Sequence, residues 1–121
     1  MYEFRWQPGT LPPLGHGFYS IDLSFVRDDL DLMPAQGAPA LALLGPEPPR
    51  ELARRMHETW VRFAATGDPG WERYAPAGRA TMVFDETDAV LPDPAGTERA
   101  AWDGRPVHDP RPATGVNTRT A

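Results

Sequence analysis

The chain has 121 residues, enough for at most one small domain. Its formal net charge is −5, which argues against a nucleic-acid partner because phosphate binding needs a basic face. It contains no Cys, so disulfides, thiolate nucleophiles and Cys-bound zinc are excluded, while 15 Pro and 11 Gly limit how much of it can be regular structure.

The first residues predict a short strand. Tyr2, Phe4 and Trp6 alternate with Glu3 and Arg5, and this period of two gives a strand with one aromatic face. The segment MYEFRWQPG has neither the basic nor the apolar region of a signal peptide. No stretch reaches the roughly 18 apolar residues of a membrane helix, so we expect no membrane partner and favour a cytoplasmic location.

The next segments give weaker signals. Residues 7–18 are a loop rich in Pro and Gly. Tyr19–Val26 is apolar and could form either a short strand or a helical turn, because periodicity does not decide between them. Arg27–Met33 is acidic and predicts a short helical turn, and residues 34–49 predict a loop with a small apolar patch at Leu41–Leu44.

Residues 50–66 predict the main helix. Pro49 suits its first turn, and Gly67 suits its end in a left-handed conformation. Apolar residues recur at spacings of four, four and three, which predicts one inward-facing stripe: Leu52, Met56, Trp60 and Phe63.

Beyond this helix, Asp68–Gly70 predicts a turn toward Trp71. Ala80–Phe84 predicts a further strand. Residues 104–121 are polar and rich in Pro, Thr and Arg, so we expect a disordered tail there. One helix with a few short strands cannot form two full layers around a core, which indicates that the chain is part of a larger fold.

A run of residues around the helix end resembles a known family. Trp60-x-x-Phe63-Ala64-x-Thr66-Gly67-Asp68-Pro69, followed by Trp71 and Tyr74, is similar to the C-terminal region of type-B carboxylesterases. These are serine hydrolases of the α/β-hydrolase fold. The resemblance implies an α/β fold class, with residues 1–103 forming the C-terminal part of such a domain.

The segment Gly17–Arg27 aligns without a gap with the family pattern Gly-Ala-x-His-x-x-Glu-x-Pro-Phe-Val-Phe. Asp22 falls on the family Glu, and Ser24 replaces the usual Pro. The resemblance therefore implies that Tyr19 occupies the position of the catalytic His. A tyrosine with an ordinary pKa of about 10 cannot take the proton of the serine at neutral pH. His16 could replace the catalytic His only if the loop followed a different path from that of the family. The favoured interpretation is that His16 is a solvent-exposed loop residue.

The nucleophile is missing as well. The fold needs a Gly-x-Ser-x-Gly elbow, and the two serines, Ser20 and Ser24, lack the flanking glycines. A local triad of His16, Ser20 and Asp22 is disfavoured, because seven residues leave little room for the acid to lie on the far side of the imidazole.

Other polar residues indicate no cofactor and no metal. The acidic stretch Asp28, Asp29 and Asp31 lacks the glycine and distal Glu of a calcium loop, so a solvated turn is favoured. His57 is predicted to flank the buried face of the main helix, and His108 lies in the tail. Neither has a suitably spaced partner for metal.

These observations predict a partial carboxylesterase that is inactive alone. Family members hydrolyse carboxylic esters through an acyl-serine. A small ester would be a partner only if another segment supplied the serine. Two alternatives remain open: a non-catalytic interaction module of the same superfamily, and one half of a split esterase. The uncovered apolar faces predict self-association or dye binding by the isolated chain.

Overall fold

The computed structural model describes residues 1–8, 20–32 and 44–105. Most of the predicted loop at 7–18, the start of the apolar patch at 41–44 and most of the tail at 104–121 lie outside these ranges. The described elements, in chain order, are β1 (Tyr2–Phe4), α1 (Asp22–Arg27), α2 (Arg50–Thr66), β2 (Ala80–Phe84), β3 (Ala89–Pro92) and α3 (Gly96–Ala100).

The three strands form one mixed sheet in the order β1–β2–β3. β1 pairs in parallel with β2, with Tyr2 opposite Met82 and Phe4 opposite Phe84. β2 then pairs antiparallel with β3, with Ala80 opposite Pro92. The strands predicted at the N-terminus and at Ala80–Phe84 are confirmed, although β1 ends at Phe4 and not at Trp6.

α1 decides between the two interpretations of Tyr19–Val26 in favour of a helical turn, at least from residue 22 onward. Ile21 and Phe25, four residues apart, are both buried, with 6% and 0% of their surface exposed. This is helical spacing. In a strand Leu23 would share the face of Ile21 and Phe25 and be buried with them, but 46% of its surface is exposed. α1 ends at Asp28, which has a left-handed backbone with φ of 54°.

α2 has the predicted bounds. Pro49 lies one position before the first helical residue, as the N-cap with an extended backbone, and not within the first turn. Gly67 ends the helix with φ of 75°, and its N–H donates to the carbonyl of Phe63 over 2.7 Å. Only glycine adopts this conformation without steric cost, which explains its position.

The predicted apolar stripe of α2 is half buried and half uncovered. Leu52 and Met56 are almost fully buried, as predicted. The prediction that Trp60 and Phe63 face inward is wrong for this chain, since 41% and 49% of their surfaces are exposed. The physical reason is that this end of the stripe faces an open cleft in the described part of the chain. The ring of Tyr2 meets that of Trp60 edge to face at 6.0 Å but does not cover it.

The turn after α2 forms as its sequence predicts. The carboxylate of Asp68 accepts the N–H of Gly70 over 2.8 Å, and the hydroxyl of Thr66 accepts the N–H of Asp68 over 3.1 Å. The turn brings Trp71 back to the sheet, where its indole N–H donates to the carbonyl of Met1 over 3.2 Å. This bond holds Met1, the residue before β1, against the turn that follows α2.

The core lies between the sheet and the two helices α1 and α2. Its buried members are Trp6, Ile21, Phe25, Leu30, Leu44, Leu52, Ala53, Met56 and Phe84. Phe25 packs between two rings of the N-terminal segment, 5.0 Å from Phe4 and 5.2 Å from Trp6. These contacts join α1 to β1 although residues 9–19 separate them in the sequence.

The β2–β3 hairpin is tied to α2 by one arginine. The guanidinium of Arg55 donates to the carboxylate of Asp88 over 2.7 Å and 3.0 Å, and to the carbonyl of Asp85 over 2.9 Å. Both side chains of the pair are partly buried, so solvent screens this contact less than an exposed pair. The sequence predicted neither this contact nor the elements β3 and α3.

Two phenylalanines provide a matched test of this core. Phe25→Ala should lower the free energy of unfolding by about 3–5 kcal/mol, because it empties a fully buried site between two rings. Phe63→Ala removes the same atoms from a half-exposed site and should cost much less. Urea unfolding followed by tryptophan fluorescence measures both. Equal losses in the two variants would contradict the described core.

Candidate functional site

The two predicted catalytic positions, Tyr19 and His16, lie outside the described residues. Their assignment to the family His position, or to a substitute for it, therefore stays a prediction. The structure does describe the residues that follow immediately, from Ser20 onward, and these show what surrounds the end of that loop.

Ser20 is exposed and has a left-handed backbone with φ of 64°. Its carbonyl accepts the N–H of Leu23 over 3.2 Å, which starts the turn into α1. A non-glycine residue in this conformation stores some strain. The chain therefore enters α1 through a sharp turn at Ser20.

Asp22, which the resemblance assigns to the position of the family Glu, is hydrogen-bonded to β1. The phenol of Tyr2 donates to its carboxylate over 3.0 Å. Burial, and next the hydrogen bond to Asp22, raise the pKa of Tyr2 to about 12. The Tyr2–Asp22 hydrogen bond therefore joins α1 to β1.

The remaining polar candidates have structural contacts. The Nδ1 atom of His57 lies 2.9 Å from the carbonyl of Val26, to which it donates in the tautomer protonated at Nδ1. His57 is half-buried and joins α2 to the end of α1, in agreement with its predicted position beside the buried face. His108 lies outside the described residues.

The acidic stretch after α1 is paired with arginines. Arg50 donates to the carboxylate of Asp31, and this exposed contact lowers the pKa of Asp31. Arg27 lies 3.8 Å from Asp29. Within residues 1–8, 20–32 and 44–105, no three His, Cys, Asp or Glu side chains are grouped to hold a metal ion. No helix in the same ranges is long and apolar enough to cross a membrane.

An apolar cleft opens between the start of β1 and the end of α2. It has a volume of about 150 Å³ and is lined by Met1, Tyr2, Thr59, Trp60, Phe63, Pro69 and Trp71. The rings of Tyr2 and Trp71 each meet Phe84 edge to face, at 5.8 Å and 6.0 Å, so the cleft floor continues into the core. Two of its lining residues, Trp60 and Phe63, belong to the stripe that the sequence predicts to face the core.

A second cleft, of about 340 Å³, contains charged residues whose charges compensate each other. Arg99 donates to Asp93 over 2.9 Å and to Asp103 over 3.2 Å. The hydrogen bond from Arg99 lowers the pKa of Asp93, which also lies 4.0 Å from Arg79. This ion-pair network gives the cleft no excess of positive charge that would attract an anion.

Solved structures similar to this chain are esterases. The structure of a thermophilic PNB esterase matches with a TM-score of 0.64 and 27% identity over 83% of this chain. Carboxylesterase EST55 of Geobacillus stearothermophilus, in a crystal structure at pH 6.8, matches with a TM-score of 0.59 and 34% identity over 84% of this chain. No family model matches the sequence.

In both esterases the match covers only 21% of the other chain, so this chain spans about a fifth of their length. The predicted resemblance to a C-terminal segment of a type-B carboxylesterase is confirmed. So is the fold class, a partial α/β-hydrolase fold.

The phenol of Tyr2 gives the site a testable pH dependence. Its folded-state pKa of about 12 lies above the ordinary 10.0, so the fold favours the neutral form. The stabilising contribution is fully present below about pH 10 and is lost as the pH rises through about 12. The free energy of unfolding of the wild type, measured with urea, should fall over this pH window. In Tyr2→Phe the fall caused by the phenol should be absent. The same slope in both proteins would show that Tyr2 does not cause it.

Proposed function

We propose that this chain, a segment of the type-B carboxylesterase family, is a non-catalytic part of an ester-hydrolysing fold and is inactive as the 121-residue polypeptide. The similarity of 83–84% of the chain to esterase structures supports the family. The inactivity rests on the residues that the printed sequence contains at the positions of the serine and the base.

The nucleophile is the first requirement of the family chemistry. The serine attacks the ester carbonyl, the alcohol leaves, and water then hydrolyses the acyl-serine. Gly-x-Ser-x-Gly does not occur in the 121 residues. Ser24 lies inside α1, away from any strand-to-helix turn. Ser20 has a strained backbone before a helix, but Phe18 and Asp22 stand where the elbow needs glycines.

The base is the second requirement. Tyr19 stands at the position that the resemblance assigns to the catalytic His. A phenol with the ordinary pKa of about 10 does not accept the serine proton at neutral pH. The chain therefore keeps the elements that position the base, β1 and α1, and carries an unsuitable side chain between them.

A non-catalytic interaction module is the second candidate function. Its support is the exposed aromatic surface of Trp60 and Phe63 together with Tyr19 in place of the base. The variant Tyr19→His distinguishes a partial esterase from an interaction module. Hydrolysis after Tyr19→His, in a context that supplies the serine, would indicate a partial esterase. Continued inactivity there would favour the interaction module.

The purified chain should not hydrolyse short-chain p-nitrophenyl esters above a buffer blank. The variant Tyr19→His should remain equally inactive, because the nucleophile is still missing. Release of p-nitrophenol measures both proteins. Turnover by the wild type that disappears in His16→Ala would contradict the proposal and assign the base to His16.

A further inference from the structure

The last two turns of α2 form an exposed apolar surface. Residues 60–66, WVRFAAT, are all exposed, although His57, three residues earlier, is half-buried and bonded to Val26 of α1. The large apolar side chains of this stretch expose about half of their surfaces: Trp60 41%, Val61 53% and Phe63 49%. Together with the two exposed alanines they form the α2 patch, which consists of Trp60, Val61, Phe63, Ala64 and Ala65.

The α2 patch is nearly free of charge, although the chain carries a net charge of −5. Five of the nine residues in the range 50–58 are charged, whereas the range 60–66 contains a single charged residue, Arg62. The guanidinium of Arg62 donates to the carbonyl of Pro69, in the turn that follows α2. A charged partner would find little at the patch to pair with. Two copies of the patch can meet without bringing like charges together at the contact.

The side chains of the α2 patch are complementary in size to those of a second copy. Trp60 and Ala64 are four residues apart and therefore lie on one face of the helix. If two α2 helices pair antiparallel about a two-fold axis at the level of Arg62, Trp60 of each copy lies over Ala64 of the other. A large side chain over a small one fills an interface at the density of a protein interior. A two-fold interface requires this kind of self-complementary surface.

The antiparallel direction is also favoured over the parallel one. A parallel pair in register would place the two Trp60 rings against each other and leave a gap between the alanines. The dipoles of two antiparallel helices oppose each other, which is electrostatically favourable. The last turn of α2 contains no basic side chain that would offset its dipole, so this difference is not masked within the helix.

The available area indicates a weak, reversible contact. Met1, with 63% of its surface exposed, lines the cleft beside Trp60 and Phe63 and enlarges the apolar surface. From these exposed fractions, the surface amounts to on the order of 400 Å² per copy. Apolar patches of roughly this size on monomers are often functional. Two copies with a polar rim stay below about 1,200 Å², in the range of transient interfaces.

We propose that the 121-residue chain forms a weak two-fold dimer through the α2 patch, with the helices antiparallel and Trp60 of each copy over Ala64 of the other. This inference goes beyond the proposed function. None of the patch residues belongs to the positions that the resemblance assigns to the serine or the base, so the dimer does not depend on whether the chain hydrolyses esters.

Sedimentation equilibrium of the whole chain tests the dimer with a matched pair of variants. Phe63→Arg lies in the α2 patch and Val90→Arg lies on β3, and the two sites are similarly exposed, at 49% and 43%. Both variants add the same single positive charge. Phe63→Arg should weaken the dimer by about thirtyfold or more, because it buries an unpaired charge, and Val90→Arg should change it by less than about threefold. Added salt should strengthen the wild-type dimer, because it screens the repulsion between two acidic copies.

Disulfide cross-linking tests the direction of the helices. The chain contains no Cys, so a single introduced cysteine reports only contacts between copies. Val61 exposes 53% of its surface and the side chain of Arg54 exposes 52%, on the same helix. In the antiparallel dimer, two cysteines at position 61 come within disulfide reach, whereas two at position 54 lie about 24 Å apart along the helix axis. In a glutathione redox buffer, Val61→Cys should therefore form covalent dimers at least about tenfold faster than Arg54→Cys.

Several outcomes would overturn the dimer. These are a wild type that stays monomeric at millimolar concentration, equal association of the two arginine variants, and association that continues to larger aggregates. Equal cross-linking of Val61→Cys and Arg54→Cys would contradict the antiparallel arrangement. Circular dichroism checks that Phe63→Arg keeps the helix content of the wild type; if it does not, the cross-linking pair decides. Ester hydrolysis by the wild type would contradict the proposed function and leave the dimer unaffected.

Discussion

The structure depends on the contact between β1 and β2. Tyr2 lies opposite Met82, so this pairing joins residues 1–8 to the segment 44–105. Three residues of parallel strand are too few to be stable alone. Aromatic packing supplies the rest: Tyr2 contacts Phe84 and Trp60, and Phe4 contacts Phe25. Without these rings β1 would separate from the sheet, and α1 would lose its anchor at Asp22.

The elements that the sequence predicted well have local signals. Pro49, Gly67 and the regular apolar spacing lie within one helix, and the bounds of α2 follow from them. β2 is likewise a continuous apolar run between polar neighbours. β3 was missed because its short sequence, AVLP, has exposed side chains and ends in proline, which weakens any strand pattern. Its pairing with β2, and not its own sequence, makes it a strand.

The geometry of the site could be predicted only in part. The resemblance assigned Tyr19 and Asp22 to family positions, but the bond from Tyr2 to Asp22 links residues 20 positions apart and leaves no pattern in the sequence. The same holds for Arg55 and Asp88, which are 33 positions apart. Such contacts follow from the fold, so a single sequence indicates the residue types but not which of them meet.

The apolar stripe of α2 shows a more general limit of sequence patterns. Its spacing indicates that four side chains prefer burial, and this preference is a property of the residues. It does not indicate which polypeptide provides the cover. Leu52 and Met56 are covered by this chain, whereas Trp60 and Phe63, on the same stripe, are not. The change occurs where α2 passes Tyr2, whose ring meets that of Trp60 edge to face at 6.0 Å. The regular spacing therefore identifies the side chains that prefer burial, and only the three-dimensional structure shows which of them the described part of the chain covers.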